Sequence, residues 1–249
     1  MAKIIAVINQ KGGVGKSTTA AAVASGLSLK GFKVLAIDLD AQGNLSYTYG
    51  TDSGKPSILS VLVGDTKAAE AVQHTNSGDI IPSNKSLAGA DAFISDTGKE
   101  YRLREGLEDI RAAYDYIIID TPPALGILTV NALTACDSVI IPAQADIYSL
   151  QGIEQLAETI KPVRKYCNAA LKIEGILLTR YNSRSVLSRD VAEIAEQLAA
   201  KLGTRLFKTT IREAIAIKEA QISRKTLFEY APSANVTADY MSLINELLE

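Results

Sequence analysis

The stretch INQKGGVGKST, residues 8–18, sets Lys11 and Lys16 around the glycines Gly12, Gly13 and Gly15. Ahead of it, "KIIAVI" reads as a buried strand; after it, a helical pattern over 17–30 is closed by Gly31. Glycines between a strand and a helix let successive backbone N–H groups curl around phosphate oxygens, and the helix N-terminus adds partial positive charge. Lys16 stands where such a loop needs its lysine, and the Ser17 hydroxyl stands where a divalent cation would be met. The pattern departs from GxxxxGK[ST] at one position, where Gln10 replaces the first glycine. Lys11 has no task in such a loop: it lies on the rim, beyond the phosphates that Lys16 serves.

Strand and helix patterns alternate through the 249 residues. "KVLAID", "DYIIID", "DSVIIP" and "KIEGILLT" have the near-continuous apolar character of strands buried on both faces of a parallel sheet. Helical patterns cover 152–167 and 184–202, the latter with Leu187, Val191, Ile194 and Leu198 on one apolar face. This order predicts an α/β fold, a wound and mostly parallel sheet flanked by helices. The stretch 41–57, "AQGNLSYTYGTDSGKPS", reads as a loop. No repeat, low-complexity tract or linker divides the chain, so residues 1–249 are expected to form a single domain.

Composition closes off several classes. Hydrophobic residues make up 47% and charged residues 22%, as in ordinary soluble globular proteins. The opening apolar run, Ile4 to Ile8, is too short for a signal peptide's core, and no stretch approaches the ~20 apolar residues of a membrane span. Cys136 and Cys167 form no CxxC, which fits a reducing cytoplasm and argues against a disulfide framework. With His74 the sole histidine, the sequence argues against a structural zinc site as well. The formal net charge of −2 hides an asymmetry: Lys161 to Lys225 holds 14 Lys/Arg against 6 Asp/Glu, and the remainder 12 against 22. Two readings of this basic third stand side by side, a polyanion-binding face or charges scattered over several helix faces.

KGGVGKST, Lys11 to Thr18, resembles the deviant Walker A motif of the ParA/MinD class of P-loop ATPases, and Lys11 matches the signature lysine of that class. The resemblance implies a three-layer α/β/α P-loop NTPase fold, with ATP and Mg²⁺ as cofactors. It implies an ATP-sandwich homodimer in which Lys11 crosses to the partner's nucleotide. A second cation there would neutralise charge on the transferring phosphoryl group; two unit charges about 4 Å apart interact by about 4 kcal/mol at an effective dielectric near 20. The implied cradle is Lys11, Gly12, Gly13, Val14, Gly15, Lys16, Ser17 and Thr18, with Lys16 on the β- and γ-phosphates. "VLAIDLDAQGN" resembles the second motif of the class, a strand ending in Asp-x-Asp. By that resemblance Asp40 positions or deprotonates the attacking water, and Asp38 lies near the magnesium shell. "YDYIIIDTPP" resembles Walker B, which implies that Asp120, with Ser17, holds Mg²⁺ at the carboxyl end of the sheet.

The likeness covers nearly the whole chain and is greatest to the ParA/Soj-type partitioning ATPases of chromosomes and plasmids. "DIIPSNKSLAGAD" and "IPAQADIYSLQGIEQL" resemble ParA sequences, with Asp146 where Glu is more usual. The C-terminal pattern from Thr209 resembles ParA too, except that Ile211-Arg212-Glu213-Ala214 stands where many relatives have Ile-Pro-Arg-Asn. Thr179, Arg212 and Ala214 are the implied adenine contacts. The phosphate loop starts at residue 10, which leaves no room for the N-terminal helix-turn-helix domain of larger plasmid ParA proteins. No Lys or Arg follows Lys225, and the last helix carries Glu246 and Glu249, so the anionic-membrane partner of MinD-type proteins is not expected. A nitrogenase iron-protein role needs cluster-ligating cysteines, whereas Cys136 reads as a small apolar residue beside a strand.

A ParA-like assignment implies an ATP-dependent dimer that binds DNA without sequence preference and a ParB-like centromere-binding partner that stimulates hydrolysis to ADP and phosphate. It implies a cytoplasmic protein, nucleoid-associated in the ATP state. Arg184 and Arg189 fall at the start of a predicted helix, where the macrodipole disfavours cations by roughly a few tenths of a kcal/mol and bound phosphates would offset the penalty. They join Arg212 and Lys218 as candidate DNA contacts; no aromatics interleave, so base readout is not expected. Two alternatives stay open: a related ATPase that positions another cargo, and a nucleotide-gated interaction switch without a DNA role.

Overall fold

The five apolar runs become strands of one seven-stranded sheet in the computed structural model, which describes residues 1–249. The strands are β1 (Lys3–Val7), β2 (Val34–Asp38), β3 (Gln73–Thr75), β4 (Gly78–Ile81), β5 (Tyr116–Asp120), β6 (Ser138–Gln144) and β7 (Lys172–Thr179). Their spatial order is β3-β4-β2-β5-β1-β6-β7, and only the β3–β4 pair is antiparallel. From β1 the chain passes to β2 on one side and later to β6 on the other. The order therefore reverses at β1, and the crevice outside the carboxyl ends opens there.

Burial on both faces explains the uninterrupted apolar runs. Ile4, Ala6, Ile117, Ile119, Val139 and Ile141 point into one core, covered by the helices Ile127–Ala135, Ile147–Tyr166 and Val186–Lys201. Ile5, Val7, Ala36, Ile118 and Ile140 point into a second core, covered by α1 (Lys16–Leu29) and the helix Asn235–Leu248. This is the expected three-layer α/β/α arrangement. Helix α1 is buried nearly all round because the C-terminal helix lies over its outer side, which accounts for its run of alanines and Gly26.

Three expectations are corrected. The stretch 41–57 is not all loop, since Asn44–Thr48 forms one helical turn that buries Leu45 and Ser46. Five residues are too few to show a helical period, and Gly43, at φ 67°, starts the turn without a side-chain cap. On the helix Val186–Lys201 the buried face is Val191, Ala195, Leu198 and Ala199, while Leu187 and Ile194 are exposed. Ala195 and Ala199 are buried there beside Val191 and Leu198. The pattern over 152–167 belongs to a helix that begins earlier, at Ile147, where exposed Ile147 and Tyr148 and the mid-helix Gly152 hide the period. The β3–β4 hairpin, of three and four residues, gave no readable strand signal.

Gly175 in β7 offers a direct test of the second core. A Cβ there would stand 2.6 Å from the ring of Phe207, which is buried and has the Arg205 guanidinium 4.9 Å from its centre. Gly175→Ala is expected to destabilise by about 1–3 kcal/mol. Urea unfolding should show a lower midpoint at unchanged slope; an unchanged midpoint would mean the ring moves aside freely.

Candidate functional site

The chain leaves β1 through Asn9, whose side chain fixes the start of the loop. Asn9 Nδ2 donates to the Pro142 carbonyl at 2.7 Å, and its Oδ1 accepts the Lys11 N–H at 3.0 Å. Gly13 and Gly15 take φ of 77° and 90°, a left-handed geometry open to glycine without a Cβ clash. The neighbouring strands brace the turn: Gln144 Nε2 donates to the Gly13 carbonyl and Thr179 Oγ1 to the Val14 carbonyl, both at 2.8 Å. With its carbonyls held from outside, the loop and the first turn of α1 line a cavity of about 320 Å³. Gly12, Gly13, Val14, Gly15, Lys16, Ser17 and Thr18 all face it, as do Asp40, Thr179, Arg212, Ala214 and Lys218.

Beneath the loop, charge is buried. Parallel pairing sets Asp38 directly opposite Asp120, and both are fully buried. Burial pushes the Asp120 carboxyl well above the usual carboxylate range; Asp38 adds to this, and Ser17 and Lys16 oppose it. Neither Asp120 oxygen has a hydrogen-bond partner. An orphaned buried carboxylate is costly unless a cation joins it. A carboxylate beside the Ser17 hydroxyl is a hard oxygen donor set, so the residues present fit Mg²⁺ under a bound phosphate. Lys16 is also buried, which lowers its pKa against the pull of Asp120 and Asp40, and its Nζ donates to the Lys11 carbonyl at 3.1 Å.

Asp38 is arranged differently. Its Oδ1 accepts the Asp40 N–H at 3.0 Å, and its Oδ2 accepts the Ser46 N–H and O–H at 2.8 and 2.7 Å. Burial pushes its pKa up to about 6, the three bonds hold it down, and the nearby Asp40 charge raises it further.

Lys11 does not reach into the cavity. Its ammonium lies 2.8 Å from both Asp146 oxygens and 3.2 Å from Ser149 Oγ. The rim lysine read from sequence is thus tethered within its own chain. Asp146 also caps the helix Ile147–Tyr166, accepting the Ser149 N–H at 3.0 Å. Burial works to raise the Asp146 carboxyl, yet Lys11 and Ser149 together hold it below its ordinary value.

The proposed adenine end and DNA face share one border. Thr179 ends β7 and bridges to Ile211, which brings Arg212 and Ala214 to the cavity wall. Arg212 is clamped by Asp239, Nε and Nη2 bonding its carboxylate at 2.7 and 2.8 Å. Arg184 and Arg189 are exposed and unpaired around the start of the helix Val186–Lys201, and Lys218 stands unpaired on the cavity wall. Sequence reading missed Arg180, Pro123, Ile217 and Gln221, which also line the cavity. Gln221 Nε2 donates to Thr18 Oγ1 at 3.2 Å. Its signal was available in the four-residue spacing from Ile217 on one helix face.

A phosphate cradle at the switch point of a wound parallel sheet, above an unpaired buried carboxylate, defines a P-loop nucleotide-binding protein. The family model described as AAA domain matches residues 2–173. A second, described as 4Fe-4S iron sulfur cluster binding proteins of the NifH/frxC family, matches residues 126–249. The cysteines in that range, Cys136 at the amino end of β6 and Cys167 after the helix Ile147–Tyr166, lie at the opposite end of the sheet from the cavity. The sporulation initiation inhibitor protein Soj of Bacillus subtilis is 38% identical, over 99% of this chain and 98% of its own length. The chromosome partitioning protein ParA of Caulobacter vibrioides is 36% identical, over 99% and 94%. Cobyrinic acid a,c-diamide synthase from Mycobacterium smegmatis, solved with bound ATP analog and magnesium, superposes with a TM-score of 0.86 at 34% identity, covering 100% of this chain and 95% of that one. The chain belongs to the ParA/Soj family of P-loop ATPases.

The two roles of Asp146 separate by substitution. Asp146→Asn keeps a good helix cap and removes the charge that holds Lys11, so thermal stability should stay near wild type. Asp146→Ala should lose about 1 kcal/mol through the cap. Equal losses in thermal melts of the two variants would show that the ion pair, and not the cap, stabilises this helix.

Proposed function

We propose that this protein is a ParA-like ATPase of DNA segregation, acting as one domain over residues 1–249. ATP with Mg²⁺ drives a sandwich dimer, the dimer binds DNA without sequence preference, and a ParB-like partner stimulates hydrolysis to ADP and phosphate on the nucleoid. The observation that carries this reading is the division between two lysines. Lys16 is buried under the cradle, whereas Lys11 stands outside it on a half-exposed ion pair, with Lys11 and Asp146 each 31% accessible. Such a pair contributes about 1 kcal/mol or less. Releasing Lys11 therefore costs little, and a partner's phosphates would offset the loss with a charge-assisted bond.

In that state Lys16 would meet the β- and γ-phosphates, and Ser17 and Asp120 would hold Mg²⁺, which would supply charge neutralisation at the phosphate oxygens. Asp40 positions the attacking water and takes its proton. Thr179, Arg212 and Ala214 frame the adenine. Arg184, Arg189 and Lys218 offer cations to DNA phosphates, with Arg212 at the edge of that face.

Lys16→Ala is expected to abolish useful ATP affinity. Lys11→Ala should keep nucleotide affinity and lose ATP-dependent dimerisation and turnover. Nucleotide titration and size-exclusion chromatography separate the two, and equal loss of affinity in both variants would defeat the cross-subunit role.

DNA binding should require ATP or a slowly hydrolysed analogue and be weak with ADP or no nucleotide. Pairing two basic faces roughly doubles the phosphate contacts, each adding about −0.9 to the slope of log K against log salt. Arg184→Glu with Arg189→Glu should weaken binding on any sequence and leave dimerisation unchanged. Equal wild-type binding with ADP and ATP, measured by fluorescence anisotropy at ~0.1 M salt, would sink the DNA role.

A further inference from the structure

The two in-register carboxylates at the site are used in opposite ways. Asp120 has no hydrogen-bond partner on either oxygen, whereas Asp38 accepts three bonds. Two of those bonds belong to a closed ring. The Ser46 hydroxyl donates to Asp38 Oδ2 at 2.7 Å and accepts the Ser83 N–H at 2.9 Å. The Ser83 hydroxyl donates to the Asp40 carbonyl at 2.5 Å, and the Asp40 N–H returns to Asp38 Oδ1 at 3.0 Å. Outside the ring, the Gln42 N–H holds Asp40 Oδ1 at 3.0 Å, so one carboxylate oxygen is anchored and the other is left for a water.

We propose that Ser46 and Ser83 are positioning residues for hydrolysis, and that Asp38 serves with them to fix Asp40, not to hold the cation. The inference rests on the hydrolysis reading given above. Turning Asp38 toward a metal would break three bonds inside the protein, whereas Asp120 has none to break. The Ser46 hydroxyl must donate and accept at once, which alanine cannot do. Each bond in such a ring polarises the next, so the set holds the backbone of Asp40 more firmly than its members singly. The ring also joins distant parts of the chain. Ser83 follows β4, so the edge hairpin, 43 residues from Asp40 in sequence, helps set the geometry of the Asp40 turn. A shift of about 1 Å in a group that orients a nucleophile can cost about 100-fold in rate.

The test is single-turnover phosphate release from ATP, with protein in excess, for wild type, Ser46→Ala, Ser83→Ala and Ser83→Thr. ADP affinity, the Mg²⁺ midpoint and thermal melts are measured alongside. Both alanine variants should slow release about ten-fold or more, with ADP affinity and Mg²⁺ midpoint within about two-fold of wild type. Ser83→Thr, which keeps the hydroxyl, should retain most of the rate. Should Ser46→Ala fail to fold, the half-buried Ser83 pair carries the test unaided. Alanine variants at wild-type rate would overturn the inference. So would a rate loss matched by lost ADP affinity, or one that threonine does not restore, since these mark general damage to the loop. A wild-type protein that binds ATP but releases no phosphate would instead overturn the hydrolysis reading itself.

Discussion

Asp38 and Asp120 stand side by side because β2 and β5 pair in parallel, and one register places both strand ends at the same level. Asp40 lies just beyond them, so three carboxylates gather under the loop around the single buried ammonium of Lys16. This imbalance governs the rest of the site. Burial raises Asp38 to about 6 and Asp120 well above its ordinary value. A carboxyl raised on folding contributes stability that is full below its unfolded pKa and is lost as pH rises through the folded one. For Asp38 that window runs from 3.8 to about 6. Above that window the charged Asp38 no longer contributes this stability, and a bound divalent cation would favour its charged form. Mass action then stabilises the fold through the same site that performs the chemistry.

The two lysines of the loop differ in how firmly they are held. Lys16 cannot leave without uncovering buried carboxylates, so it belongs to the cradle permanently. Lys11 sits on a pair that water and salt both weaken, at the cap of the helix Ile147–Tyr166. If Lys11 crosses to a partner as proposed, a weak bond of this kind is the one it would leave at least cost. Asp146 would be held in place by its second role, capping, whether or not Lys11 is bound to it.

Much of this was legible in the sequence. The five long strands announced themselves because burial on both faces leaves no polar alternation to obscure them. The loop was legible because phosphate binding demands a fixed spacing of glycines, lysine and hydroxyl. What stayed hidden was structure held by single hydrogen bonds. The turn Asn44–Thr48 and the β3–β4 hairpin are too short to carry a period, and Ser46 and Ser83 look like ordinary loop serines until the fold brings them together. The Lys11 pairing was not legible because Asp146 lies 135 residues away. Leu187 and Ile194 are large and apolar yet exposed, while Val191, Ala195, Leu198 and Ala199 form the buried face.

The basic third is narrower than its composition suggests. Lys161 and Lys201 are paired with Glu158 and Glu154, Arg205 lies at Glu174, and Arg212 is locked to Asp239. Arg224 stacks over the Tyr47 ring at 4.5 Å. Once these are set aside, nine cations remain without ion pairs, Arg164, Lys165, Lys172, Arg180, Arg184, Arg189, Lys208, Lys218 and Lys225. Of these, Arg180 and Arg184 line a cleft that shares Arg180, Arg212 and Glu213 with the cavity at the phosphate loop. Part of the positive charge thus lies beside the phosphate loop, through Arg180, Arg184 and Lys218, while Arg164 and Lys165 stay on the last turn of the helix Ile147–Tyr166. Arg180, at φ 49°, turns the chain from β7 into this cleft. A polyanion held there would sit within a few side chains of the adenine end. Nucleotide state and DNA contact would then be coupled through shared walls, with no need for a long path across the fold.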